Sequence, residues 1–156
     1  MRPLALTAAL VLLTAACCRG GSTGTLEVAH AHDRRGFGWQ PPEANLQHWI
    51  CWMDEYEADL VLVCGPPRDR TLEVSCAPLF YPFRRQNVGV FVNRSYAGEW
   101  VCPHAPDFRT YTIEVPADLW QPGTNTLTLR VGYLRRMPPD PRELGLSVER
   151  IRWWPR

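Results

Sequence analysis

Lysine is absent from this chain, and all 17 of its basic side chains are arginines. Without a lysine amine the protein cannot form a Schiff base with a carbonyl substrate or supply the lysine of a phosphate-binding loop. Pyridoxal phosphate enzymes and Ser-Lys nucleophile pairs are excluded for the same reason. A GC-rich genome, which favours arginine codons, accounts for the absence of lysine. The absence therefore excludes these reaction classes and does not indicate another function.

Serine is scarce as well, and no other nucleophile stands in a catalytic pattern. None of the four serines belongs to a G-x-S-x-G nucleophile elbow; they are Ser22, Ser75, Ser95 and Ser147. His30 and His32 could share a metal ion, but no third ligand accompanies them. We therefore expect no catalytic residues, no metal site and no cofactor.

One acidic run could suggest glycoside hydrolysis or calcium binding; it comprises Asp54, Glu55, Glu57 and Asp59. Hydrolysis needs two carboxyl groups that face each other across a cleft, whereas these are neighbours in one turn. The run also lacks the glycine and the regular spacing of a known calcium loop. A solvated acidic loop is the better interpretation.

Positive charge is not concentrated in any part of the chain. The arginines are scattered along the chain and include adjacent pairs at 34–35, 84–85 and 135–136. Without residues 1–16 the chain has 16 basic and 16 acidic side chains. Because nucleic-acid binding requires a basic stripe that neutralises phosphates, we expect no nucleic-acid partner.

The longest apolar run is short and lies at the N-terminus. Arg2 precedes 13 largely apolar residues from Leu4 to Ala16, which suit the core of a secretory signal and are too few to span a bilayer as a helix. Residues 1–16 are therefore predicted to be a signal peptide. Its removal would leave an extracytoplasmic protein.

The end of this run, residues 13–17 (LTAAC), resembles the lipobox of bacterial lipoproteins. The resemblance implies that Cys17 is lipidated and holds the protein at the membrane of the cell envelope. Residues 17–24, small and rich in glycine, would then be the lipidated N-terminus and a flexible tether. Ordinary signal-peptidase cleavage after Ala16 remains the alternative.

Four further cysteines form an even set in a chain predicted to be exported: Cys51, Cys64, Cys76 and Cys102. Two disulfides are expected, since no two of the four have the spacing of a zinc knuckle. Cys64 and Cys76 each end a row of apolar residues, and a short turn lies between the two rows. This pattern favours a Cys64–Cys76 bond, which leaves Cys51 for Cys102.

Residues 25–156 are predicted to form one all-β domain, a sandwich of two antiparallel sheets. Short runs in which apolar and polar residues alternate are separated by proline, glycine, asparagine and aspartate, and no stretch keeps a helical period for three turns. The predicted strands cover 25–31, 47–53, 58–64, 71–78, 87–92, 97–102, 108–115, 124–132 and 144–154.

Several phrases, in order, resemble the galactose-binding-like jelly-roll modules of carbohydrate-binding and cell-surface proteins. They lie at 36–43 (GFGWQPPE), 88–93 (VGVFVN), 111–116 (YTIEVP), 123–129 (GTNTLTL) and 144–151 (LGLSVERI). The resemblance implies a jelly roll from Gly36 to Trp154. The chain departs from the pattern at Arg94, where these modules usually have a glycine after the asparagine.

Aromatic residues give the candidate ligand site, because seven tryptophans are many for one small domain and sugar rings stack on flat aromatic faces. The candidates expected in exposed loops are Trp39, Tyr81, Trp100 and His104. We expect a non-catalytic lipoprotein module that binds a glycan or a cell-envelope component, in an oligomeric state that the sequence leaves open. The alternatives are a structural or protein-interaction lipoprotein and, less favoured, a glycan-active enzyme.

Overall fold

Two antiparallel β-sheets pack face to face in this protein, connected by loops and two single-turn 3-10 helices. The structure is a computed structural model and describes residues 23–45, 48–103 and 105–156. The 3-10 helices of this part span Val28–His30 and Ala117–Leu119. Its strands are β1 (Gly24–Glu27), β2 (Glu43–Asn45), β3 (His48–Trp52), β4 (Glu57–Cys64), β5 (Arg70–Pro78), β6 (Asn87–Val92), β7 (Ser95–Val101), β8 (Arg109–Val115), β9 (Gly123–Val131), β10 (Arg135–Arg136), β11 (Glu143–Leu144) and β12 (Leu146–Pro155).

The first sheet has the strand order β2-β3-β12-β5-β8, and β1 pairs with the C-terminal half of β12. The second sheet has the order β4-β9-β6-β7, and β10 and β11 form a two-residue ribbon. Neighbouring strands run antiparallel throughout. The predicted all-β sandwich is therefore confirmed.

The core lies between the sheets and follows from the alternation of apolar residues along each strand. Leu60 of β4 lies opposite Leu127 of β9, and both are fully buried. Leu72 of β5 and Ile151 of β12 supply the facing side chains from the first sheet. Each large aliphatic side chain buried in this way contributes roughly 2 kcal/mol to folding.

Only the first half of the first predicted strand, 25–31, is a β-strand in the structure. β1 ends at Glu27, and a 3-10 turn follows in which Val28 and Ala29 are both buried. Two consecutive buried residues break the alternation that a half-buried strand requires. His30 and His32 consequently do not share a strand face, and His32 Nδ1 lies 2.6 Å from Nη2 of Arg35.

The predicted disulfide between Cys64 and Cys76 is wrong, since both thiols are free. Residues 65–69 do not close a hairpin, because β4 belongs to the second sheet and β5 to the first. Cys64 ends β4 next to this connection, whereas Cys76 lies six residues beyond Arg70, the first residue of β5. At about 3.3 Å per residue, that separation is roughly 20 Å along β5.

The predicted Cys51–Cys102 disulfide is also wrong, and both of these thiols are free. Cys51 of β3 pairs in register with Val148 of β12, and Arg35 Nη1 donates to its sulfur at 2.8 Å. Cys102 follows β7 in the second sheet and lies beside Cys76 instead. The sequence indicated core-facing cysteines correctly and their partners incorrectly.

The β6–β7 turn forms although the glycine common in similar modules is missing. Asn93 and Arg94 both adopt positive φ, at 51° and 70°, and connect Val92 directly to Ser95. Two consecutive left-handed residues make the tight turn that matches the twist of a hairpin. Asparagine tolerates this conformation and arginine does so at a cost.

Three features predicted from the sequence lie outside the described residues: the signal peptide at 1–16, the lipidated Cys17 and the candidate ligand residue His104. They stay predictions. Within the part of the chain that is described, no helix has the length and apolar character needed to cross a membrane.

Candidate functional site

The outer face of the first sheet carries a mainly apolar depression. In β3 the side chains of His48, Ile50 and Trp52 point away from the core, whereas Cys51 lies in the core between them. Ser147 of β12 lies opposite Trp52 and shares that outer face. Strand alternation alone thus places aromatic and polar side chains together outside the sandwich.

The depression is a cleft of about 500 Å³, which we call the aromatic cleft. Its surface is mainly apolar, with a few polar groups among the rings. The lining residues are Asn45, Trp52, Ala77, Pro78, Leu79, Phe80, Pro106, Phe108, Met137 and Ser147. Its size and composition are those of a small-ligand site.

The segment before β8 forms one wall of the aromatic cleft. The ring of Phe108 stacks on the imidazole of His48, with ring centroids 4.5 Å apart and planes inclined by 19°. β8 and β3 are at different positions in the sheet, so this stack requires the segment to fold back across the outer face. The cleft is therefore a product of the fold and not of one strand.

The opposite wall is the loop that follows β5. The hydroxyl of Tyr133 donates to the carbonyl of Leu79 at 2.8 Å, and Arg135 Nη1 donates to the carbonyl of Phe80 at 2.8 Å. These two bonds fix the backbone from which the Phe80 ring, 38% exposed, reaches the cleft.

Trp52 is held in place by a hydrogen bond at the edge of its ring. Its indole N–H donates to Glu43 Oε1 at 2.5 Å, and Arg142 Nη1 contacts Oε2 of the same carboxylate at 3.1 Å. Asp140 binds the other side of the Arg142 guanidinium. The indole is thus oriented before any ligand arrives, which lowers the entropy cost of stacking.

A line of polar groups crosses the outer face beside the cleft. Glu149 Oε1 lies 2.7 Å from His48 Nδ1, and its Oε2 accepts a hydrogen bond from the Ser75 hydroxyl at 2.8 Å. Burial raises the pKa of the Glu149 carboxyl, but the hydrogen bonds from His48 and Ser75 outweigh that effect and leave the pKa below its usual value.

Ser75, His48 and Glu149 do not form a catalytic triad, although they are a serine, a histidine and a carboxylate. An activated serine must contact the histidine that removes its proton, whereas the Ser75 hydroxyl donates to Glu149. The carboxylate lies between the other two side chains and orients both. It can present the His48 ring to a ligand, with Phe108 stacked on one face.

A second hollow lies on the outer face of the second sheet and contains two carboxylates of the acidic run. Glu57 Oε1 accepts from Arg130 Nε at 2.7 Å, and Asp59 Oδ1 accepts from the Thr128 hydroxyl at 2.6 Å. Both carboxylates are neighbours on β4 and both are engaged. In the described residues no three acidic, histidine or cysteine side chains form a group suited to a metal ion.

Trp39, predicted to bind a ligand, does not line the aromatic cleft and is half-buried. Its indole N–H donates to the carbonyl of Asp59 at 2.8 Å, and the ring packs against the core. It also borders a shallow hollow with Pro41 and Pro42. The structure leaves its predicted role as a ligand residue untested.

Tyr81, also predicted to bind a ligand, lies behind the loop that carries Phe80. Its half-buried ring meets Tyr133 and Phe83 edge to face, at centroid distances of 5.5 and 5.9 Å. The guanidinium of Arg135 lies 4.6 Å from the Tyr81 ring centroid. Tyr81 is therefore next to the aromatic cleft without lining it, and its role stays a prediction.

Trp100 was expected to be exposed in a loop, and that expectation is wrong. It lies in β7, is 9% exposed, and stacks on Tyr111 with ring centroids 5.1 Å apart. The ring fills the gap between the ends of the two sheets, so its faces are already covered. The site proposed below therefore does not include Trp100.

The sequence reasoning missed Trp52, Phe80 and Phe108. The alternation over 48–52 contained a signal for Trp52, because it placed this ring on the same face as His48. No comparable signal existed for Phe108, which reaches the site only because the segment before β8 folds over the sheet.

No family model and no curated protein matches the sequence. Solved structures do share its fold, all at low identity. The GH26-CBM35 β-(1,4)-mannanase of Podospora anserina is 12% identical with a TM-score of 0.59, over 88% of this chain and 28% of the mannanase. The chain thus spans just over a quarter of that protein.

Two smaller structures align over almost their whole length. The C-terminal CBM6 module of LamC, a marine laminarinase from Zobellia galactanivorans, is 13% identical with a TM-score of 0.56, over 85% of this chain and 99% of the module. A carbohydrate-binding module of Cellvibrio mixtus lichenase 5A, solved with cellotriose, is 12% identical with a TM-score of 0.56, over 85% of this chain and 97% of the module. The fold of this chain is thus a β-sandwich similar to that of these carbohydrate-binding modules.

Proposed function

We propose that this protein is a non-catalytic module that binds a glycan in the aromatic cleft. The observation that carries the proposal is the cleft itself, in which Trp52, Phe80 and Phe108 line a sugar-sized hollow on a carbohydrate-binding-module fold. Aromatic faces of this kind stack on the apolar faces of sugar rings. The exposed Asn45 amide supplies a polar group for the sugar hydroxyls beside the rings.

The absence of a reactive arrangement among the described residues supports binding over catalysis. The carboxylates of Glu57 and Asp59 are neighbours on one strand, each engaged by another side chain. The Ser75 hydroxyl donates to the Glu149 carboxylate and not to the His48 imidazole. A glycoside hydrolase needs two carboxyl groups on opposite sides of the bond to be cut.

We further propose that the module works outside the cytoplasm, anchored by a lipid on Cys17. The support is the signal-like segment 1–16 and the lipobox-like residues 13–17. A glycan-binding module held at the cell envelope would retain a polymer or attach the cell to one.

Isothermal titration of the purified protein with a panel of soluble β-glucans, mannans and xylans tests the binding proposal. We expect affinities in the micromolar to millimolar range, because a few stacking contacts of about 1 kcal/mol each must offset the ordering of a hydrated ligand. Uniform absence of heat and of retention on insoluble glycans would overturn it and favour a protein-interaction role.

Variants locate the site. Trp52→Ala and Phe108→Ala should each weaken binding about tenfold, which corresponds to about 1.4 kcal/mol. Tyr96→Ala is the matched control, since Tyr96 is an exposed ring, 57% accessible, on the second sheet. If Tyr96→Ala or Tyr81→Ala abolishes binding while Phe108→Ala does not, the ligand binds elsewhere on the sandwich.

A further inference from the structure

Two core thiols of this protein are in direct contact although neither was expected to meet the other. Cys76 of β5 and Cys102 after β7 are both fully buried, and their thiols are neighbours that interact with each other in the core. One belongs to the first sheet and the other follows a strand of the second, so the contact bridges the sandwich.

Backbone hydrogen bonds on one side hold these two segments together. The amide of Cys102 donates to the carbonyl of Gln86 at 2.7 Å, and Gln86 Nε2 donates to the carbonyl of Gly145 at 3.3 Å. The same Gly145 carbonyl accepts from the amide of Leu79 at 2.9 Å, three residues beyond Cys76. Cys102 is thereby tied to the end of β5 independently of its thiol.

Ring packing fixes the other side of the contact. Trp100, two residues before Cys102, stacks on Tyr111 with ring planes inclined by 12°. Tyr111 pairs in register with Val74, two residues before Cys76. The thiols are therefore enclosed by one hydrogen-bonded and one stacked contact, and neither segment can move away without disturbing the core.

The other two described thiols have different surroundings. Cys51 accepts from Arg35 Nη1 at 2.8 Å and lies 3.8 Å from the carbonyl oxygen of Val28. Cys64 ends β4 opposite Gly123 in the second sheet. Among the cysteines that the structure describes, Cys76 and Cys102 are the pair whose side chains interact with each other.

We propose that Cys76 and Cys102 are oxidised to a disulfide when the chain folds in the presence of a small-molecule disulfide such as oxidised glutathione. The Cys102 thiolate attacks the glutathione disulfide and releases one reduced glutathione, which leaves a mixed disulfide. The Cys76 thiolate then attacks the Cys102 sulfur and releases the second glutathione. Two protein thiols are oxidised, one external disulfide is reduced to two thiols, and the two protein protons pass to the departing thiolates.

Burial determines when this reaction takes place. Since both sulfurs are inaccessible in the folded domain, an external disulfide reaches them only before the sheets close. The neighbouring Cys76 thiol lowers the pKa of the Cys102 thiol, while burial raises the pKa of Cys76. The disulfide then joins the two sheets and is shielded from reductants.

Peptide mapping distinguishes this pairing from every other. Cleavage after arginine separates Cys76 (peptide 71–84) from Cys102 (peptide 95–109) and leaves Cys51 and Cys64 together on peptide 36–68. The full-length protein is refolded from denaturant in reduced and oxidised glutathione, alkylated in denaturant and digested without reductant. We expect 71–84 linked to 95–109, with both cysteines of 36–68 alkylated.

A link that includes peptide 36–68, or alkylated 71–84 and 95–109 from the folded oxidised protein, overturns the proposal. Cys64→Ala is the matched control and should keep the link, whereas Cys76→Ala should lose it and leave Cys102 alkylated. Because either variant could fold poorly, the wild-type protein is also mapped after export into an oxidising compartment, where the same linked pair is expected. Reduction of the linked protein should lower its thermal midpoint.

Discussion

Asn93 Nδ2 donates a hydrogen bond to Oδ1 of Asn125 at 2.8 Å, which joins the β6–β7 turn to the start of β9. Asn125 is 1% exposed, and its amide also binds both the amide and the carbonyl of Gln121 and the carbonyl of Gly123. Every hydrogen-bonding position of this buried side chain is occupied. Such a residue determines loop geometry, because no apolar side chain can replace its bonds.

We predict that Asn125→Ala destabilises the protein by about 2 kcal/mol, because it removes the four hydrogen bonds that the buried Asn125 side chain makes to Asn93, Gln121 and Gly123. Urea unfolding followed by tryptophan fluorescence measures the change. Asn87→Ala, at an exposed position of β6, is the control and should lie within about 0.5 kcal/mol of wild type. Equal effects of the two substitutions would contradict the role given to Asn125.

Arg94→Gly is expected to stabilise the protein by up to about 1 kcal/mol. Arg94 has a φ of 70°, a conformation that costs L-residues roughly 1–2 kcal/mol and glycine almost nothing, although glycine loses more freedom on folding. Thermal and urea unfolding both report the gain. Ser95→Gly, at the first position of β7, should have the opposite sign because no left-handed conformation is relieved there.

Leu127→Ala should cost about 3 kcal/mol, since Leu127 is fully buried opposite Leu60 and its truncation leaves a cavity between the sheets. Thr124→Ala, at an exposed position of the same strand, should change stability by no more than about 0.5 kcal/mol. Both values come from denaturant titrations. A small effect at Leu127 would show that the sheets do not pack as described.

Acidification should weaken the protein partly through Glu149. Its pKa is lower in the folded protein than in the unfolded chain, so its carboxylate contributes stability above its ordinary pKa and loses that contribution as pH falls through the folded value. Glu149→Gln should therefore be less stable than wild type near pH 7 and approach wild type towards about pH 3.

Thermal unfolding from about pH 7 to about pH 3 measures this convergence. The control is Glu99→Gln, which removes a carboxylate from an exposed position of β7 in the second sheet. If the difference in stability between Glu149→Gln and wild type stays constant over the whole pH range, the substitution acts through the shape of the side chain and not through the loss of its charge.

The lipid anchor is tested by mass spectrometry of the membrane fraction from cells that express the full chain. We expect Cys17 as the N-terminal residue, carrying a diacylglycerol, and Cys17→Ala should release the protein from the membrane. A soluble mature chain that starts at unmodified Cys17 contradicts the lipoprotein proposal and leaves the glycan-binding proposal intact.

Strands and their inner faces could be predicted from the sequence because alternation is a local property. The runs over 71–78 and 124–132 coincide closely with β5 (Arg70–Pro78) and β9 (Gly123–Val131). Alternation does not say to which sheet a strand belongs. Residues 65–69 look like a hairpin turn in sequence, yet they connect the two sheets, and this difference separates Cys64 from Cys76.

The aromatic cleft could be predicted only in part for a related reason. Trp52 shares an outward face with His48 in one short strand, which is a local pattern. Phe80 and Phe108 join it through loops whose paths depend on distant contacts, such as the bond from Arg135 to the Phe80 carbonyl. A pattern within one strand contains no information about a loop that crosses the sheet.

The pairing of β1 with β12 sets the orientation of the cleft relative to an anchor. Gly24 lies opposite Trp153, whereas the cleft lies at Ser147, six residues earlier on the same strand. That is roughly 20 Å along β12. A lipid attached upstream of Gly24 would therefore leave the cleft at a distance from the point of attachment, open to polymers.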